Sequence, residues 1–295
     1  MERQDAMEKE LILRESDINE FLEKLRLDEK SENTCQKYRR DINKLVEFIK
    51  FQTSCTDEDV KVNRSLLLLY KEYLQCSYLL TSANSMIVSI NALIKHLGCE
   101  DLCIKTFRLQ RKICQREDRF LKRREYERLL NEARHQGKER LLLIMETMAS
   151  IGIRISELKF VTVEAVRAGR VQIVSKGKAR EIYLPKKLRK NLTEYIRRKK
   201  LKCGIVFCTT SGKAVDRSNV CHEMKKLAED AGVNPKKVFP HNLRHLFAHE
   251  FYAQEKNIVA LADILGHSSL ETTRIYTKTC AKEHLRKLEK LKFII

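Results

Sequence analysis

The chain has 295 residues, enough for two domains, and its 43% hydrophobic content excludes a solvated tail or linker. Its 59 Lys and Arg against 40 Asp and Glu leave a charge of +19, spread along the sequence. That excess suits a polyanionic partner, nucleic acid first, with a merely solubilising surface as the alternative. The amino terminus lacks the basic start and apolar run of a secretory signal, and no stretch approaches the roughly 18 apolar residues of a membrane helix. The ten cysteines are scattered without a Cys-x-x-Cys pair. The expectation is therefore a cytoplasmic protein with no membrane contact, no cofactor and no structural metal, its cysteines serving as small buried hydrophobes.

Of the nine glycines only Gly98 precedes residue 115, and all three prolines follow it. So few turn signals predict a helical first part. Ser16 and Asp17 can cap a helix carrying Ile18, Phe21, Leu22 and Leu25, and Ser31 to Thr34 open a second with Tyr38, Ile42, Leu45, Val46 and Ile49 at helical spacing. A third, Leu66 to Leu74, follows Thr56 to Asp59. The fourth begins near Thr81 and carries Met86, Ile87, Ile90, Leu93, Ile94 and Leu97 before stopping at Gly98. This pattern predicts a four-helix unit over residues 1–112.

Arg108, Arg111, Lys112, Arg116 and Arg119 form a basic run, either a solvated helix face or a linker that tracks a phosphate backbone. Beyond it helices alternate with short β runs. Leu129-Leu130 and Leu141 to Met148 have the apolar content of core helices. Residues 170–175 and 179–184 alternate with period two about Lys176-Gly177-Lys178, the pattern of a β-hairpin. Helices are predicted again at Lys186 to Lys200, Ser218 to Ala231, His241 to Gln254, Ile258 to Leu265 and Leu270 to Tyr276.

Several residues in this second part have the chemistry that phosphodiester cleavage by a side chain requires: neutralised non-bridging oxygens, a deprotonated attacker and a proton for the leaving 5′ oxygen. Arg154 stands just after the turn at Gly152, and a guanidinium donates to phosphate as a bidentate fork. Glu157, three residues on, can orient it, or the two can form an ordinary surface ion pair. His241 and Arg244 follow Pro240, a helix-start signal, and are expected on one face at the exposed amino end of that helix, where unpaired amides already favour an anion. His245 and His249 are read as packing or surface residues. Lys176 at the hairpin tip is either solvated or a proton donor, with Lys178 as its rival. His267 follows Gly266 between two helices, and the second of these leads to Tyr276. A free phenol has a pKa near 10, so Tyr276 attacks only with cations or a base nearby.

Arg154 in Gly-x-Arg-x-Ser-Glu-Leu, Lys176 in Lys-Gly-Lys, His241-x-x-Arg244-His245, Leu265-Gly266-His267 and Thr273-Arg274-Ile275-Tyr276-Thr277 resemble the motifs of the tyrosine recombinases, the phage-integrase and Xer group. The resemblance covers residues 118 to 295. The first part, with Thr34 to Tyr38 opening its second helix, is similar in a less specific way to that family's core-binding domain. Asn242 stands where the family often has an acidic residue, and the lysine hairpin is short.

The resemblance implies a mainly α protein with a small β-sheet: a helical core-binding domain over residues 1–112 and an α+β catalytic domain over 113–295. It implies that Tyr276 attacks the scissile phosphate to give a 3′-phosphotyrosyl intermediate and a free 5′ hydroxyl. Arg154, Arg244, His241 and His267 would bind the non-bridging oxygens, with Glu157 in support and Lys176 protonating the leaving group. Neither ATP nor metal would be needed, and the partners would be double-stranded DNA and three further copies of the chain. A type IB topoisomerase-like activity and a non-catalytic DNA-binding protein are the competing readings. Lys282 to Lys292 predicts a charged helix with Leu285, Leu288 and Leu291 on one stripe. It folds back on its own domain or, as the resemblance implies, docks on a neighbouring protomer.

Overall fold

A computed structural model describes residues 10–109, 119–175, 178–209, 212–267, 269–273 and 276. The chain divides into two compact units, Met1–Arg111 and Lys112–Ile295. Expectations that fall on Lys176, the middle of the basic run, Arg274-Ile275 and the tail from residue 277 lie outside the described residues.

The first unit is built from α1 (Glu15–Leu27), α2 (Glu32–Thr53), α3 (Arg64–Ser77) and α4 (Leu80–His96). Apolar residues three and four apart give each helix one buried stripe, with Ile18, Phe21, Leu22 and Leu25 on α1 and Ile42, Leu45 and Ile49 on α2. Ser31 caps α2, its hydroxyl accepting from the Thr34 amide at 3.3 Å. Capping of α1 differs from the expectation. The helix begins at Glu15, so Ser16 and Asp17 lie inside its first turn, and the Asp17 carboxylate reaches back to the Arg14 amide at 2.9 Å. This unit is also not purely helical. Strands β1 (Leu11–Leu13) and β2 (Val60–Val62) pair antiparallel, Leu11 opposite Val62 and Leu13 opposite Val60. Asn63, rather than the Thr56 to Asp59 segment, caps α3.

Two amides on α4 tie down the chain that follows it. Asn91 donates to the Ile104 carbonyl at 2.7 Å and accepts from the Ile104 amide at 3.1 Å, and Asn84 makes the same pair of bonds with Phe107 at 2.9 and 2.7 Å. The two asparagines are seven residues apart and so share a face, where they satisfy backbone groups of a segment without secondary structure of its own.

The second unit contains α5 (Arg123–His135), α6 (Glu139–Ile151), α7 (Val163–Ala168), the hairpin β3 (Arg170–Ser175) and β4 (Lys178–Tyr183), α8 (Lys186–Arg198), α9 (Arg217–Asp230), α10 (Pro240–Glu255), α11 (Ile258–Leu265) and α12 (Leu270–Thr273). Helix α6, apolar nearly all round, is central and packs against α5, α8, α9 and α10. The hairpin register sets Arg170 opposite Tyr183 and Ser175 opposite Lys178. Helix α12 is described over Leu270–Thr273, and the expected continuation through Arg274 and Ile275 lies outside the described residues. Among the described cysteines only Cys35 is fully buried, and Cys76 and Cys203 are exposed, which corrects the expectation of a uniformly buried set. Cys76 falls on the outer face of amphipathic α3, away from the buried Leu67, Tyr70 and Leu74.

Candidate active site

Three helices meet at one buried side chain, Arg244. The carboxyl end of α6 turns at Gly152, whose φ of +66° belongs to the left-handed region that glycine adopts without strain. The site also demands glycine for space, because a Cβ there would lie 2.4 Å from Cδ1 of Phe247 on α10. Close approach of α10 to this turn brings Arg244 Nη1 to 2.8 Å from the Gly152 carbonyl. Arg244 Nη2 donates to the carbonyl of Leu265, at the carboxyl end of α11, at 2.7 Å and lies 2.9 Å from His267 Nε2.

Arg244 was expected beside His241 at an exposed helix end, but the two differ. His241 is exposed and Arg244 is 1% exposed. The helix ends of α6 and α11 supply acceptors that compensate its burial. Burial, with Arg154 adding to it, lowers the Arg244 guanidinium to about 10, so it remains charged at neutral pH.

An arginine only donates hydrogen bonds, so His267 Nε2 is the acceptor of its pair with Arg244, and the ring proton sits on Nδ1, where it bonds Thr273 Oγ1 at 2.9 Å. Burial and then the charges of Arg244 and Arg154 push His267 down to about 4, consistent with this neutral tautomer. His241, although its edge is exposed, is likewise lowered, by partial desolvation and then by Arg244, Arg154 and Arg217.

Arg154 lies at the start of a short 3-10 turn, Ile155–Phe160. Glu157, in that turn, is only 3% exposed, so the pair it makes with Arg154 is anchored in the interior. Its carboxylate accepts from the Arg154 amide at 2.8 Å, from Arg154 Nη1 at 2.9 Å and from Arg180 Nη2 at 2.8 Å. Burial pushes this carboxyl up, but the bonds from Arg154 and Arg180 outweigh it and hold Glu157 below the usual carboxylate range. The Arg154 side chain remains 41% exposed, free to meet a ligand.

Tyr276 is 9% exposed and packs with Ala248, Leu261 and Leu265. Arg244 and Arg154 favour its ionised form, but burial raises its pKa more than they lower it. The phenol is neutral at rest. His245, read from sequence as a packing or surface residue, touches Tyr276 ring to ring at 5.0 Å and His241 at 4.5 Å. Burial, then His241 and Arg244, bring His245 down to about 4. His249 is exposed.

The structure thus brings together Arg154, Glu157, His241, Arg244, His267 and Tyr276, while Lys176 lies outside the described residues. Sequence reasoning missed Arg180. Its signal was present: Arg180 and Ile182 share one face of β4 by period two, Leu184 just beyond the strand continues the pattern, and the latter two are buried, so Arg180 is a cation on an apolar face. Asn242 also finds its reason, since its amide donates to the carbonyls of Arg119 and Lys237 at 2.8 and 2.7 Å, which an ionised carboxylate cannot do.

No group of three or more His, Cys, Asp or Glu that could hold a metal ion occurs among the described residues, and no described helix is long and apolar enough to cross a membrane.

Comparison with known proteins agrees with this geometry. The profile of the phage integrase family matches residues 119–283. The chain is 29% identical over 276 residues to the tyrosine recombinase XerD of Vibrio cholerae, covering 88% of this chain and 89% of that protein. It is 28% identical over 286 residues to XerA of Pyrococcus furiosus, covering 94% of each. Among solved structures, XerH recombinase in a pre-cleavage complex with its difH substrate aligns with a TM-score of 0.69 at 20% identity, over 94% of this chain and 84% of that one. A lambda integrase tetramer bound to a Holliday junction aligns with a TM-score of 0.69 at 14% identity, over 91% and 78%. These two share the mainly helical fold with its small sheet. The chain belongs to the phage integrase family and is an enzyme of the tyrosine-recombinase type.

Proposed function

We propose that this chain cuts and rejoins double-stranded DNA at specific sites through a 3′-phosphotyrosyl intermediate on Tyr276, four protomers working on two sites. The observation that carries this reading is a buried phenol under the charges of Arg244 and Arg154, within a cluster richer in positive than in negative charge. An arginine has five N–H donors, and the bonds to Gly152, Leu265 and His267 take three of those of Arg244. We assign the two remaining donors, with Arg154, to the phenolic oxygen and the non-bridging oxygens of a phosphate.

In the forward step the Tyr276 oxygen forms a bond to phosphorus, the bond from phosphorus to the 5′ oxygen breaks, and the leaving oxygen takes a proton from Lys176. The phenol proton passes to a neutral imidazole, His245 being the ring in contact with Tyr276. Donors fixed in advance favour the charge that develops on phosphorus, each worth about 3–4 kcal/mol when removed alone. The reverse step, attack of a 5′ hydroxyl on the phosphotyrosine, reseals the strand, so the bond energy is conserved without ATP. DNA as partner is supported by the basic balance of the chain and by the DNA-bound relatives, and a tetramer by the assembly of lambda integrase.

The test is a suicide duplex that traps the covalent adduct. Wild-type protein should form it and Tyr276→Phe should not. No adduct on a site the protein is shown to bind would favour a DNA-binding role, and relaxation of any plasmid without strand exchange would favour a topoisomerase. Removing residues 281–295 should weaken assembly on DNA, and unchanged assembly would remove the tail from the tetramer reading.

A further inference from the structure

Arg180 stands apart from the recombinase motifs, yet it is built into the site. It projects from β4, where it pairs with Ile173 across the hairpin. Its Nη2 bonds Glu157, and its Nη1 lies so close over Gly266 that a Cβ there would come within 2.5 Å. The side chain is 15% exposed, and its Nε is buried without a hydrogen-bond partner. A buried donor left unpaired opposes folding, so its retention calls for a reason outside the fold.

Charge supplies that reason. Among the described residues of the site, Arg154, Arg180 and Arg244 are cationic, Glu157 is anionic, and His241 and His267 are neutral at pH 7. Setting Lys176 apart, because its charge leaves with the proton it gives to the 5′ oxygen, two positive charges are left over. A phosphodiester carries one negative charge, whereas the five-coordinate phosphorus formed by phenolate attack carries two. A site with two excess charges therefore matches the transition state better than the ground state, and a site with one does not. Glu157 is divided between two cations, Oε1 facing Arg154 and Oε2 facing Arg180. Without Arg180 its whole charge would fall on Arg154.

We propose that Arg180 is a positioning residue for phosphoryl transfer that acts through Glu157, letting that carboxylate orient Arg154 without neutralising it. The inference rests on the reaction proposed above.

Its test compares two suicide duplexes, one with an ordinary scissile phosphate and one with a methylphosphonate there. The methyl group replaces a non-bridging oxygen, so the transition state carries one negative charge fewer. Arg180→Met should form the adduct about 10- to 100-fold more slowly on the phosphate, with DNA affinity held within about threefold. On the methylphosphonate the same variant should lose less than about threefold relative to wild type. Arg180→Lys, which keeps the charge, should lose less than Arg180→Met on the phosphate. Comparing the two substrates within one variant cancels any change in the folded fraction. Equal losses on both, or Arg180→Lys no better than Arg180→Met, would overturn the proposal and leave Arg180 as a strut of the fold. Wild-type protein that forms no adduct on a site it binds would sink the reaction itself, and this inference with it.

Discussion

Acidifying from pH 8 to pH 5 should cost the second unit about 4 kcal/mol of stability through two rings of the active site. His245 and His267 are both pushed from 6.5 to about 4, burial being the largest cause in each. In the unfolded chain they titrate at their ordinary value, so between the two values the unfolded state binds more protons and stability rises with pH. Integrated from pH 8 to pH 5, each ring contributes about 2 kcal/mol, and the loss levels off only below pH 4. The carboxylates held low, Glu125 and Glu157, give up their contribution below about pH 4.5, which leaves the window above pH 5 to the imidazoles. Amide hydrogen exchange in α6 and α10, corrected for the intrinsic rate and run at constant ionic strength, reads this unit in the intact chain. His245→Phe should remove about 2 kcal/mol of this pH dependence and leave the share of His267 and of His241, which is also lowered. Stability that stays flat from pH 8 to 5, or a His245→Phe slope equal to that of wild type, would refute the reasoning.

Gly152→Ala combines a left-handed φ with a Cβ driven into Phe247, so it should destabilise by about 2–5 kcal/mol and lower the thermal midpoint by roughly 5–15 °C. A loss under 1 kcal/mol would mean that the Phe247 ring moves aside. Glu157→Gln leaves two guanidiniums facing a neutral amide, with an expected cost of about 3–5 kcal/mol in denaturant unfolding and slower adduct formation. A variant as stable as wild type would show that the buried pair is not anchored by its charge. Asn91→Ala strips the Ile104 amide and carbonyl of their partner, for about 1–3 kcal/mol confined to the first unit. Hydrogen exchange at Ile104 should quicken, and an unchanged rate would reassign its protection to packing.

Helical spacing made the two rows of helices legible, because each buried stripe is a local pattern a few residues long. The strands Leu11–Leu13 and Val60–Val62 were not legible, since three residues are too few to display period two, and their pairing joins segments nearly fifty residues apart. Asn84 and Asn91 had the same disadvantage: an amide on a helix reads as a solvated residue until the backbone segment it satisfies is placed beside it. At the candidate site the motifs indicated which residues to gather but not their depth. Arg244 was expected at a surface, because three-residue spacing from His241 suggests a shared face. Helix ends arriving from α6 and α11 enclose it instead, and nothing within α10 announces them. Arg180 left a local trace, a charge on an apolar strand face, but its meaning depends on Glu157 and Gly266, far away in sequence.

Arg244 bonds the carbonyls at the carboxyl ends of two helices, and those ends carry the negative pole of each helix. The protein therefore houses a buried cation before any DNA arrives, and the same bonds that prepare it for phosphate fasten α6, α10 and α11 together. Folding and the assembly of the proposed catalytic centre are one event at this residue. An inactive form for trapping complexes is thus better made at Tyr276, whose hydroxyl can be deleted without disturbing the joint. A lineage drifting from cutting towards mere binding would, on the same grounds, discard its tyrosine long before its arginine.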